Sequence, residues 1–154
     1  IYAKVLVDND SPYLKSIILN KGSRDKVEIG MAIVDGSYLV GKIIEVNFTN
    51  SRALLLSDLN SKIPVLLEPF DMHAVLSGTG KSHGIIEYTK EEYVYSMTGE
   101  VIVYTSGQGG MFKPGLPVGK LILKENKKDQ INFFSDFRQL DYVKIVSYDI
   151  GVDD

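Results

Sequence analysis

In the opening run of the chain, Ala3, Val5 and Val7 alternate with Tyr2, Lys4 and Asp8. A period of two puts one set on each face of an extended chain, the pattern of a half-buried β-strand. Comparable runs rich in Val, Ile, Leu, Tyr and Phe fall near 2–8, 13–20, 31–35, 38–46, 52–57 and 63–68. They continue near 73–77, 84–89, 100–105, 116–124, 130–134 and 142–148. Turn chemistry such as "NDSP", "NKGSRD", "VDGS", "TNSR" and "KENKKD" separates them. Only "KEEYVY" and "SDFRQL" suit a helical turn, and neither is long enough to be stable alone. The pattern predicts an all-β chain of twelve strands.

Those strands repeat. At an offset of 78 residues, Val40-Gly41-Lys42 falls on Val118-Gly119-Lys120, Ile44 on Ile122, Ser57-Asp58 on Ser135-Asp136 and Val65 on Val143. That is seven identities over positions 40 to 67 without a gap, and Ile43, Leu59 and Leu67 meet similar residues. Earlier the offset shortens, with "SIILNKG" at 16–22 resembling "GIIEYTK" at 84–90, and the insertion "QGGMFKPG" absorbs the difference. A fixed period of this kind marks duplicated structural units. Short strands with glycine bends suit small closed barrels, which also remove exposed sheet edges. The expected architecture is therefore two small barrels of about six strands, packed side by side. The first would occupy residues 1–70 and the second 71–150, with 151–154 as a tail.

Composition narrows the function classes. With 44% apolar and 24% charged residues, the 154-residue chain is ordinary for a folded domain or two small ones. A net charge of −3 gives no electrostatic footprint for nucleic acid, which needs clustered Lys and Arg. Lys124, Lys127 and Lys128 do group, but Glu125 and Asp129 interleave with them, as on a solvated hairpin tip. The absence of cysteine excludes disulfides, thiol catalysis and Cys-ligated metals. No apolar run approaches the ~18 residues that cross a bilayer. The chain begins at Ile1 without an initiator Met, which reads as a piece of a longer protein whose upstream part could include a membrane anchor.

Residues 78–82, "GTGKS", resemble the end of a phosphate-binding loop. A Walker A motif needs a glycine five residues before the Gly of Gly-Lys, and here that position is Val75. The loop must also open a helix, whereas "HGIIEYT" reads as a strand. A hairpin loop with a solvated Lys81 is expected instead. Two paired barrels also suggest a serine-protease arrangement, with His73, His83 and Ser106 as the residues to test. Each has a simpler reading as a turn residue, and no spacing gathers the histidines with Asp71 or Glu87 around a metal. Glu91-Glu92 and Asp153-Asp154 are sequence neighbours, read as a solvated turn and a frayed terminus. No catalytic residue, metal, nucleotide or other cofactor is expected.

The stretch 107–120, "GQGGMFKPGLPVGK", holds five glycines and two prolines around Met111, Phe112, Leu116 and Val118. It suits a buried connection that needs positive φ or close backbone approach. Exposed, it would be an interaction surface. Tyr88, Tyr93 and Tyr95 form a second cluster compatible with strand packing or an interface.

The segments "NKGSRDKVEIGMAIVD", "YLVGKIIEV", "LLSDLNSKIPV", "VYTSGQGGMFKPGLPVGK" and "LDYVKIV" resemble the rod shape-determining MreC family, in order and over nearly the whole chain. Gly99-Glu100 stands where the family tends to have Gly-Asp, and Lys113 where a second proline is common. The resemblance implies a single-pass protein of the inner membrane with a dimerising coiled coil and with paired barrels in the periplasm or on the extracytoplasmic face of the cell membrane. It implies a non-catalytic scaffold of the cell-elongation machinery that contacts a class B penicillin-binding transpeptidase, MreD, MreB and RodZ, and self-associates. No family motif assigns the contacts, so Met111, Phe112, Leu116, Tyr93 and Tyr95 are the expected partner-binding residues on chemistry alone. A different class stays open: an OB-like small-barrel module that binds peptidoglycan or another oligosaccharide, using aromatics with polar partners on one face.

Overall fold

The computed structural model describes residues 1–10, 14–88, 99–122 and 130–147. Twelve strands run in the expected order: β1 (Tyr2–Asp10), β2 (Lys15–Leu19), β3 (Ala32–Asp35), β4 (Tyr38–Val46), β5 (Ser51–Leu55) and β6 (Lys62–Glu68), then β7 (Met72–Gly78), β8 (His83–Tyr88), β9 (Val101–Thr105), β10 (Pro117–Leu121), β11 (Gln130–Phe133) and β12 (Tyr142–Val146). Of the two expected helical turns, 135–140 contains a 3₁₀ turn at Phe137–Gln139, while 90–95 lies outside the described residues.

The strands close into two six-stranded barrels, of order β1-β12-β3-β4-β5-β2 and β10-β11-β8-β7-β6-β9. Every described pairing is antiparallel, so alternate residues point into each barrel. In β9, Val101, Val103 and Thr105 are buried while Ile102 and Tyr104 are half-exposed.

The barrels are not the consecutive halves 1–70 and 71–150. Strand β6 pairs with β7 and β9, and β12 pairs with β1 and β3. The last strand of each repeat therefore crosses over and completes the other barrel. Adding six to each strand number, and continuing from twelve back to one, maps one cyclic order onto the other. The duplication is thus a reciprocal strand exchange within one chain.

The repeat's identities have matching causes in the two barrels. Gly41 lies opposite Leu55 and Gly119 opposite Phe133, again 78 residues apart. A Cβ on Gly41 would sit 2.3 Å from the Leu54 carbonyl oxygen, and one on Gly119 2.4 Å from that of Asn132. Neither position has room for a side chain. Similarly, the Asp58 carboxylate accepts from Asn60 N at 2.8 Å, and Asp136 accepts from Arg138 N at 3.1 Å. These two aspartates shape the crossover loops, as Asx turns do.

Strand β3 is buried on both faces. Ile33 packs into the first barrel with Ile17, Leu19, Ile43, Val143 and Ile145. Its neighbours Ala32 and Val34 join Leu39 and Leu56 against the second barrel's Val65, Leu76, Val103 and Ile131. The barrels therefore share a continuous apolar contact, reinforced by Ser135 Oγ donating to Asp35 Oδ2 at 2.6 Å. With β6 and β12 exchanged as well, neither barrel is closed without the other's repeat.

Candidate partner interface

In the first barrel a tight turn with Gly36 at φ +63° joins β3 to β4. The equivalent β9–β10 connection in the second barrel is the long glycine-rich loop. One side chain organises that loop. The buried Thr105 Oγ1 donates to the Lys113 carbonyl at 2.7 Å and accepts from Leu116 N at 2.9 Å, while Gly115 N bonds the Thr105 carbonyl at 2.9 Å. The chain turns back on itself at Gly107 (φ +78°) and Gly109 (φ +72°), in the left-handed region that glycine tolerates best.

That geometry separates the residues expected to meet a partner. Phe112 is 1% exposed and belongs to the second barrel's core. Its expected role as a surface contact is corrected: the ring is the loop's apolar anchor, with no face left for a partner. Met111 is 37% exposed, and Leu116 is half-buried against the core. Tyr93 and Tyr95 lie outside the described residues.

Met111, Leu116 and Pro117 form one wall of a cleft of about 500 Å³ between the barrels. Val34, Gly36 and Val146 line the opposite wall, and Lys113 and Lys144 supply positive charge beside it. The volume lies within the ~300–1,000 Å³ of typical binding clefts. Such a cleft accepts an apolar side chain flanked by a carboxylate. Among the described strands none is left as the kind of unpaired edge to which a further strand adds.

A second groove, of about 490 Å³, runs along the junction beside the crossover loops. Sequence reasoning missed it, because Lys15, Lys81 and Arg138 reach it from three segments remote in the chain. The "GTGKS" stretch is the β7–β8 hairpin, as expected, and Lys81 is exposed at its tip.

The protease-like candidates do not converge. Neither histidine side chain hydrogen-bonds to a serine or carboxylate among the described residues; Thr79 Oγ1 reaches only the His83 backbone carbonyl, at 2.7 Å. Ser106 Oγ accepts from Gln108 N at 3.2 Å, a local turn contact. Glu87 bonds Ser77 at 3.2 Å and Lys62 at 3.4 Å across the barrel surface. Among the described residues no cluster of three metal-ligating side chains forms. Glu91, Glu92, Asp153 and Asp154 lie outside the described residues.

Two six-stranded barrels that exchange strands and meet along two grooves define a tandem double-barrel module. The family profile "Rod shape-determining protein MreC, barrel core" matches residues 5–147, and the chain belongs to that family. It is 33% identical over 142 residues to the cell shape-determining protein MreC of Cereibacter sphaeroides, covering 92% of this chain and 47% of that protein. The chain thus spans about half the length of this curated relative. The crystal structure of MreC from Pseudomonas aeruginosa superposes with a TM-score of 0.81 at 24% identity, covering 96% of this chain and 98% of that one. A structure of the major periplasmic domain of the cell shape-determining filament MreC gives 0.76 at 15% identity, over 97% and 95% of the two chains. MreC from Helicobacter pylori, solved in complex with the penicillin-binding protein PBP2, gives 0.61 at 15% identity, over 96% and 98%.

Proposed function

We propose that this chain is the barrel module of a non-catalytic scaffold in the cell-elongation machinery, and that it binds and regulates a class B penicillin-binding transpeptidase. The observation that carries this reading is the relative of the same fold captured in complex with PBP2. Membership of the family supports it, as does the periplasmic domain named for another relative of this fold, since that is where such a transpeptidase acts. No helix among the described residues is long and apolar enough to cross a membrane. MreD, MreB and RodZ are the further partners we infer, together with self-association. The resemblance of the motifs carries those inferences.

The cleft formed by Met111 and Leu116 is the proposed contact. Regulation then follows from differential binding, with the module favouring the transpeptidase conformation it fits best. Titration calorimetry against the soluble domain of the cognate transpeptidase tests the assignment. Met111→Asp puts a charge in the centre of the contact and should weaken binding at least about tenfold, about 1.4 kcal/mol, with an unchanged melting temperature. Equal affinity for both proteins would remove the cleft from the interface. No heat with either would remove the transpeptidase reading for the module by itself.

A further inference from the structure

The groove beside the crossover loops has three chemical features that the transpeptidase reading does not use. The first is aromatic: Phe133 and Phe137 pack with ring centres 4.8 Å apart and a tilt of 34°, and Phe134, 36% exposed, packs on Tyr38 at 5.1 Å with a tilt of 36°. The second is charge: Lys15, Lys81 and Arg138 line the groove, with Asp136 the one carboxylate among the described lining residues, in a protein whose net charge is −3. The third is a set of small polar groups, Ser57, Ser82 and Asn132. We propose that this groove binds a carboxylate-bearing oligosaccharide, with sugar rings on the phenylalanines and the carboxylate on Lys81 and Arg138.

Each element of that ligand answers one feature. The C–H face of a pyranose ring packs on an aromatic face, and its hydroxyl and acetamido groups suit side chains that both donate and accept. Arg138 Nε is occupied by Asp136 Oδ1 at 3.3 Å, while its Nη donors make no hydrogen bond among the described residues. A guanidinium fork offers a carboxylate two parallel bonds. Lys81 forms no ion pair among the described residues and is exposed at the hairpin tip.

The same geometry argues against the neighbouring ligand classes. A phosphate loop needs free backbone N–H groups, but Gly80 N is bonded to the Ser57 carbonyl at 2.7 Å and Lys81 N to Thr79 Oγ1 at 3.2 Å. An extended acidic peptide binds best along an open strand edge, and the closed barrels leave none among the described strands. A sugar needs neither.

The test is an NMR titration of the ¹⁵N-labelled chain with the disaccharide of N-acetylglucosamine and N-acetylmuramic acid. Neutral chitobiose and a hexameric glutamate peptide are the comparison ligands. The expected result is shifts confined to the groove-lining segments at Lys15, 55–57, 80–82 and 130–138, with chitobiose at least about tenfold weaker and the peptide silent. Lys81→Gln with Arg138→Gln should weaken the acidic sugar by a similar factor while leaving chitobiose and the melting temperature unchanged. Phe134→Ala should weaken both sugars. No shifts at millimolar acidic sugar, equal binding of the two sugars, or binding of the peptide in their place would each overturn the proposal. The doubly substituted chain should still bind the transpeptidase, so failure here and failure of the scaffold reading are separable.

Discussion

The two barrels are built from the same six-strand repeat, yet they differ at one equivalent connection. Between β3 and β4 the first barrel uses a short turn through Gly36; between β9 and β10 the second uses a loop held by Thr105 and anchored by Phe112. Both connections face the same inter-barrel cleft. The duplication supplies a rigid two-sided frame, and the inserted loop changes one wall of it. Where the repeats agree, at Gly41 and Gly119, the cause is backbone packing. Where they differ, the structure offers a site.

The largest effect is expected from breaking the strand exchange. Ending the chain at Leu140 removes β12, leaving β1 paired only with β2 and β3 only with β4, and stripping Val143 and Ile145 from the first barrel's core. Each buried aliphatic side chain contributes about 1.5–3 kcal/mol, and the lost ladder bonds add to this, against a total stability of ~5–15 kcal/mol. The truncated chain should show no cooperative thermal transition by circular dichroism. A retained sharp melt, with second-barrel methyl signals unchanged, would show that the barrels fold independently despite the exchange.

A smaller effect separates the loop's anchor from its exposed tip. Phe112→Ala should cost about 3–5 kcal/mol in urea denaturation, the range for emptying a buried aromatic site. Met111→Ala next to it should cost less than about 1 kcal/mol, because its side chain is partly in water. If the two substitutions cost the same, the loop is not anchored as described.

How much of this was legible beforehand depended on range. The strands are written locally, because a period of two in β1 or β9 is visible to anyone reading ten residues. The duplication was legible too, in Val40-Gly41-Lys42 and Val118-Gly119-Lys120, whose glycines meet equivalent backbone carbonyls. Strand exchange was not: the residues of β6 and β12 match in the repeat whichever barrel they close, and pairing is set by contacts distant in sequence. Phe112 was misread for a similar reason. A phenylalanine among glycines suits a buried or an exposed loop, and the Thr105 hydroxyl, seven residues away, decides which. The groove beside the crossover loops gathers Lys81 and Arg138 from separate hairpin and crossover segments, so no local motif announces it.

The finest comparison is between the two aspartates that turn the crossover loops. Asp58 is 1% exposed and accepts from Lys15 N at 2.6 Å and Asn60 N at 2.8 Å. Asp136 faces water, and its carboxyl is held below the usual carboxylate range chiefly by the Arg138 backbone N–H and then by the Arg138 side chain. Removing the buried Asp58 carboxylate strands two part-buried backbone donors, so Asp58→Ala should cost about 1–3 kcal/mol. Asp136→Ala should cost less, because water replaces the lost acceptor. The acid response gives an independent reading of the exposed site. A folded-state pKa below the unfolded one stabilises above the ordinary carboxylate range, and that contribution fades as pH falls through the folded value. Stability measured from neutral pH down into acid should therefore decline less steeply in Asp136→Asn than in the unsubstituted chain. Identical acid limbs would mean that Asp136 turns the loop without its charge contributing, and that the two crossovers differ in burial alone.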